Sequence, residues 1–113
     1  MSLIDLSVID ELNDTAGPEF VAELVGTFLE EAPGMLADLR SARVEGDADV
    51  FRRAAHSLKS NSATFGASEL STLARRLELE GMAADLQQDL QAIDALDDAY
   101  RRAAAALLEL TRG

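Results

Sequence analysis

The chain has no cysteine and no tryptophan, a single histidine, two prolines and aromatic residues at only 4% of its 113 positions. Each shortage removes a class of protein. Without cysteine there is no disulfide framework and no thiolate metal site, which suits a reducing cytoplasm. With so few aromatics and no alternating β-branched runs, strands have little to build on. Cations are scarce too: ten lysines and arginines face 21 acidic residues, giving a formal net charge of −11. Such a chain is repelled by nucleic-acid phosphates and by anionic membranes, so neither is expected as a partner. No apolar run approaches the ~20 residues a bilayer span needs. There is no basic segment leading into an apolar one, so no secretory signal is read. The length suits one domain, expected to occupy residues 1–113, either as a complete small protein or as a module of a longer one.

What is present favours helix. Ala, Leu, Glu, Arg, Asp and Gln dominate. Leu6, Val8, Ile9 and Leu12 give residues 5–14 the pattern of a short amphipathic helix, broken at Asn13-Asp14-Thr15. Pro18 suits a first helical position. Val21, Leu24, Val25, Phe28 and Leu29 hold helical spacing to about Ala32. Pro33 cannot donate to the ladder, so a kink or restart is expected there. Leu36, Leu39 and Ala42 carry the pattern on to Gly46. Asp47 is the expected N-cap of a central helix reaching about Thr64, with Asp49 in its first turn. Gly66 ends that helix, Ser68 caps the next, and Leu70, Leu73 and Leu77 form its inner stripe as far as Gly81. After a loop over residues 81–85, the last helix runs from about Leu86 to Leu110. Its apolar positions, Leu86, Leu90, Ile93, Leu96, Tyr100, Ala103, Leu107 and Leu110, step by threes and fours as in a bundle seam. The expected fold is all-α: an antiparallel up-and-down four-helix bundle, its first long helix bent at Pro33, with the short N-terminal helix capping one end.

The central helix holds the only histidine. Phe51, Ala55, Leu58, Ser62 and Phe65 fall on one narrow stripe at about 100° per residue, and His56 lies roughly 140° from its centre. The imidazole therefore faces water. Arg52, Arg53, Lys59, Ser60 and Ala63 surround it. A face drawn at random from so acidic a composition would be mostly acidic, so a cationic rim suits a site that receives negative charge. Phosphoryl is a natural candidate, since neutral imidazole is nucleophilic and titrates near neutrality. Metal binding is not expected, because one histidine among cations with no cysteine offers too few ligands. A serine–histidine hydrolase is not expected either: no G-x-S-x-G occurs, and Ser57 faces another side of the helix. The acidic residues read as a solvated face. No phosphate-cradling glycine pattern occurs, so any phosphate on His56 must come from another protein.

The run His56-Ser57-Leu58-Lys59-Ser60-Asn61-Ser62-Ala63-Thr64-Phe65-Gly66-Ala67 resembles the signature of histidine-containing phosphotransfer (HPt) domains, roughly H-x-L-K-G-S/A-S/A-x-x-L/F-G-A. Phe28-Leu29-Glu30-Glu31-Ala32-Pro33 and Leu77-Glu78 also fit, and the resemblance spans about residues 5–110. It implies a bundle whose exposed histidine relays phosphoryl groups in two-component signalling, in the cytoplasm and as a monomer, without autokinase activity. By that resemblance His56 is the phosphoacceptor and Lys59 supports the phosphoryl oxygens. Glu78 matches a position where some members place Gln or Glu, and there it would accept from Nδ1 and leave Nε2 as the nucleophile. The partners implied are receiver domains of response regulators or of hybrid sensor histidine kinases, and the Mg²⁺ required would sit on the receiver. Arg52, Arg53 and Lys59 would steer the encounter, and Ser60, Ala63, Phe65 and Gly66 would form a low docking surface. Ser60 departs from the usual glycine, and Asn61 from a small residue. Two competing readings are a non-catalytic helical adaptor that binds partner helices, and a small enzyme using His56 as general base.

Overall fold

Residues 4–111 are described by a computed structural model. They form five α-helices: α1 (Leu6–Ala16), α2 (Pro18–Glu45), α3 (Ala48–Thr64), α4 (Ser68–Glu80) and α5 (Leu86–Thr111). Helix α2 packs on α1, α3 and α5, while α4 packs on α3 and α5, so the four long helices close into a ring of neighbours. One apolar cluster runs through them, with Val25, Leu39, Phe51, Leu58, Leu70, Ile93, Leu96 and Leu107 at its centre.

Local chemistry sets most of the boundaries. Asp5 caps α1 by accepting from the Ser7 amide at 3.1 Å, and Asp47 caps α3 by accepting from the Val50 amide at 3.1 Å. The Asp85 carboxylate accepts from the Gln87 amide at 3.0 Å as α5 begins. Gly46 ends α2 in the left-handed conformation, φ 76°, which only glycine adopts at no steric cost. Two expected boundaries move. Asn13-Asp14-Thr15 does not break α1, which continues to Ala16 and stops at Gly17. Ser68 does not cap α4; it is the first helical residue, and Ala67 precedes it with no side-chain cap.

The helix does not restart at Pro33 either: α2 is a single helix of 28 residues with the proline inside it. A mid-helix proline removes one hydrogen bond and crowds the carbonyl four residues back, at a cost of about 3 kcal/mol. That carbonyl belongs to Leu29, and the Tyr100 hydroxyl on α5 donates to it at 3.2 Å. The phenol thus takes the place of the missing amide. Its ring also meets Phe28 edge-on at 6.0 Å, and Phe28 in turn meets Phe65 at 5.4 Å. Burial, aided by Asp97, raises the Tyr100 pKa, which keeps the phenol protonated as a donor.

A second tie lies at the far end of the ring. Asp89, in the first turn of α5, is almost fully buried and takes Arg43 Nε at 2.5 Å and the Ala83 amide at 2.8 Å. Arg43 also donates to the Ala83 carbonyl at 2.9 Å. One ion pair therefore holds α2, α5 and the loop between α4 and α5 together. Asp89 belongs to the structure's interior, not to the solvated acidic face. The α5 seam is buried at Ile93, Leu96, Ala103 and Leu107, half-buried at Tyr100, and opens at its ends, where Leu86 and Leu110 are exposed.

Tyr100→Phe is expected to cost about 1 kcal/mol by urea denaturation. In a Pro33→Ala background, where an amide can serve Leu29, the same change should cost much less; equal costs in both backgrounds would remove the replacement argument.

Candidate functional site

His56 sits mid-way along α3. Ala54, Ala55 and Leu58 beside it are buried, whereas its own side chain is 56% exposed. The wheel reading holds: the ring stands clear of the core. Across the α3–α4 seam, Glu78 places Oε2 at 2.5 Å from His56 Nδ1 and Oε1 at 2.7 Å from Lys59 Nζ. One carboxylate thus bridges the two side chains that the motif spaces three apart. Lys59 is held from the backbone side as well, since its carbonyl accepts from Ser71 Oγ on α4 at 3.2 Å.

Small residues make this bridge possible. Ala55 and Ser62 on α3 and Ala67 and Ala74 near and on α4 are buried, letting the two helices approach. Ser62 satisfies its hydroxyl within its own helix by donating to Leu58 O at 2.6 Å.

Electrostatics then assign the proton. The hydrogen bond from Lys59 is the main cause that holds the Glu78 carboxyl below its ordinary 4.5; burial opposes this, and the His56 contact adds to it. Glu78 is therefore ionised at neutral pH and can only accept. Its contact with Nδ1 requires Nδ1 to carry the hydrogen. In the neutral ring Nε2 then holds the lone pair.

The expected cationic rim needs correction. Arg52 and Arg53 are exposed, but both pair with Asp49 on their own helix, at 3.3 and 3.0 Å. Lys59 is spoken for by Glu78. The flank of His56 thus sets three cations against two carboxylates, so the positive rim is reduced and not removed. The reason is helical spacing: Asp49, chosen for the first turn, falls three and four residues before the arginines.

The expected docking surface is corrected at two positions. Ser60 and Ala63 are exposed beyond His56. Phe65 and Gly66 are buried and offer nothing to a partner. Phe65 lies against Phe28, and Gly66 lies beneath the start of α1, where its carbonyl accepts from the Asp5 amide at 2.8 Å. A Cβ on Gly66 would stand 2.9 Å from Asp5 O, and its φ is +69°. This glycine serves the turn and the N-terminal tie. Asn61 turns toward α2, donating to Ser57 O at 2.9 Å and touching Met35, so its departure from the motif does not reach the exposed face.

Among the described residues no group of three or more histidine and carboxylate side chains is placed to hold a metal ion. A surface hollow of about 460 Å³ lies between α4 and α5, lined by Leu73, Leu77 and Asp89 and not by His56.

Three comparisons bear on this arrangement. The family model described as Hpt domain matches residues 23–106. The chain is 30% identical over 86 residues to Sensor protein TorS of Escherichia coli (strain K12), a match that covers 76% of this chain and 9% of the length of that relative. In structure it is similar to the histidine-containing phosphotransfer domain of ArcB from Escherichia coli, with a TM-score of 0.82 at 17% identity, covering 97% of this chain and 93% of that one. At that identity the structural likeness speaks for the fold, while the family match spans most of the sequence, the His56–Lys59 run and Glu78 included. The chain belongs to the Hpt domain family.

Proposed function

We propose that this chain is a phosphotransfer module of two-component signalling, carrying a phosphoryl group on His56 to and from the aspartate of a receiver domain. The observation that carries this reading is the Glu78 bridge, whose carboxylate accepts from Nδ1 and leaves Nε2 free on an exposed ring. In this reading the long helices form an antiparallel up-and-down bundle with α1 across one end. Paired contacts support it: Arg43–Asp89, Arg40–Asp94 and Leu29–Tyr100 run in opposite senses along α2 and α5.

The chemistry follows from those groups. Nε2 of neutral His56 attacks the phosphorus of the aspartyl phosphate in line. The new N–P bond forms as the O–P bond breaks, and the electron pair leaves with the aspartate carboxylate. The Nδ1 proton stays in place, so the ring becomes cationic, and the Glu78 carboxylate beside it offsets that charge. Lys59, on the other oxygen of Glu78, is close enough to turn toward the phosphoryl oxygens as they arrive. Mg²⁺ belongs to the receiver in this reading and supplies further charge compensation there. Every step reverses for the return transfer. In this reading the phosphoryl group always comes from a partner, and the module is a relay without autokinase activity. It would act as a monomer in the cytoplasm, with receivers of response regulators or hybrid sensor histidine kinases as partners. No helix among the described residues is long and apolar enough to cross a membrane.

The adaptor alternative needed an apolar seam on the surface. Ile93, Leu96, Ala103 and Leu107 of that seam are buried within the helical ring, so this alternative loses its motivating feature.

His56→Gln should fold with unchanged helicity and take no label from phosphorylated receivers; a labelled variant would refute the relay. Glu78 supplies a second expectation. Its carboxyl is held below 4.5, so its contribution to stability is complete above that value and fades as pH falls through the lowered one. Wild type should exceed Glu78→Gln in stability at pH 7, and the gap should close in acid. A gap that stays constant or widens on acidification would contradict the assignment.

A further inference from the structure

Nine of the ten lysines and arginines lie among the described residues, and every one but Arg75 is ion-paired to a carboxylate. Arg75 is exposed and makes no hydrogen bond or ion pair. In a chain with 21 acidic residues, an arginine left unpaired stands out.

Its place in the fold gives it a use. On α4 it falls four residues after Ser71 and three before Glu78, the two residues that contact Lys59. Residues so spaced share a helix edge. Arg75 therefore occupies the α3-facing rim of α4, level with the Lys59 turn and one turn from His56. Its neighbour Arg76 faces elsewhere: it pairs with Glu80 at 3.4 Å and lines the hollow toward α5.

The other cations of the His56 flank are all engaged. Arg52 and Arg53 share the single carboxylate of Asp49, which leaves one positive charge in excess, and Lys59 is held by Glu78. A partner that presents an aspartyl phosphate brings concentrated negative charge to this face, against a chain that is itself strongly negative. Among the described residues, Arg75 is the cation that can meet it without first breaking an existing pair. The guanidinium also offers a planar, bidentate fork suited to carboxylates.

We propose that Arg75 is a partner-positioning residue, drawing in and seating the acidic rim around the partner's aspartyl phosphate. This rests on the relay reading above. It concerns the encounter and not the bond-making step.

The test measures phosphoryl transfer to the full chain from receiver domains of the same genome. Each is phosphorylated with acetyl phosphate, and the fastest donor is used. Wild type, Arg75→Ala, Arg75→Lys, Arg76→Ala and His56→Gln are compared at about 0.01 M and about 1 M salt, where the screening length falls from roughly 30 to 3 Å. Arg75→Ala should lower kcat/KM about three- to tenfold at low salt and leave the rate at saturation unchanged. The loss should vanish at high salt, Arg75→Lys should recover most of it, and Arg76→Ala should match wild type. Thermal melting should be the same for both alanine variants. Equal kcat/KM for Arg75→Ala and wild type at low salt would overturn the proposal, as would a loss that persists unchanged in high salt. If instead wild type takes no label, or His56→Gln does, the relay reading itself falls and Arg75 has no partner to seat.

Discussion

A single carboxylate shared between an imidazole and an ammonium is the constraint around which this molecule is arranged. Glu78 can bridge His56 and Lys59 only if α3 and α4 lie close and in a fixed register. Small buried residues along the seam, Ala55, Ser62, Ala67 and Ala74, permit that closeness. Register is held by Ser71 on the Lys59 carbonyl and by the turn at Gly66. The core then does for the site what a rigid mount does for a lens. Leu58 and Phe51 are buried on the opposite face of the same helix, which leaves His56 outward.

Charge is distributed in keeping with this. Most cations are neutralised within the chain, many of them by carboxylates three or four residues away on the same helix. Such pairs add little stability individually. Their consequence here is that few described cations are left unpaired, so the free guanidinium of Arg75 counts for more than a count of basic residues suggests. The two interior ties differ in kind. Asp89 with Arg43 binds a loop and two helices through charge. Tyr100 repairs a ladder that proline would otherwise leave open.

Much of this was legible in the residue pattern, and the misses share a cause. Helix identity, the caps at Asp47 and Gly46 and the outward face of His56 follow from local spacing, which is what a sequence displays directly; the place of Glu78 beside His56, 22 residues back, is implied only by the family resemblance. The rest depends on contacts between residues far apart in the chain. Nothing near Pro33 reveals that Tyr100, 71 residues beyond Leu29, will serve the orphaned carbonyl. Asp89 looks like any other surface acid until Arg43 arrives from 46 residues away. Phe65 and Gly66 fit a family motif whose letters do not separate residues that face a partner from residues that make the turn. One miss was avoidable: Asp49 falls at pairing distance from Arg52 and Arg53, so the partial neutralisation of the rim could have been read from the sequence.

The proton position on one ring decides the account, and this chain makes the measurement clean because it has a single histidine. A ¹⁵N-histidine sample examined by long-range ¹H–¹⁵N correlation should show, at a pH where the ring is neutral, a proton on Nδ1 and an unprotonated Nε2. After loading from a phosphorylated receiver, the phosphorus should couple to Nε2. A ring protonated on Nε2, or a phosphoryl group found on Nδ1, would contradict the role assigned to Glu78 and the mechanism built on it.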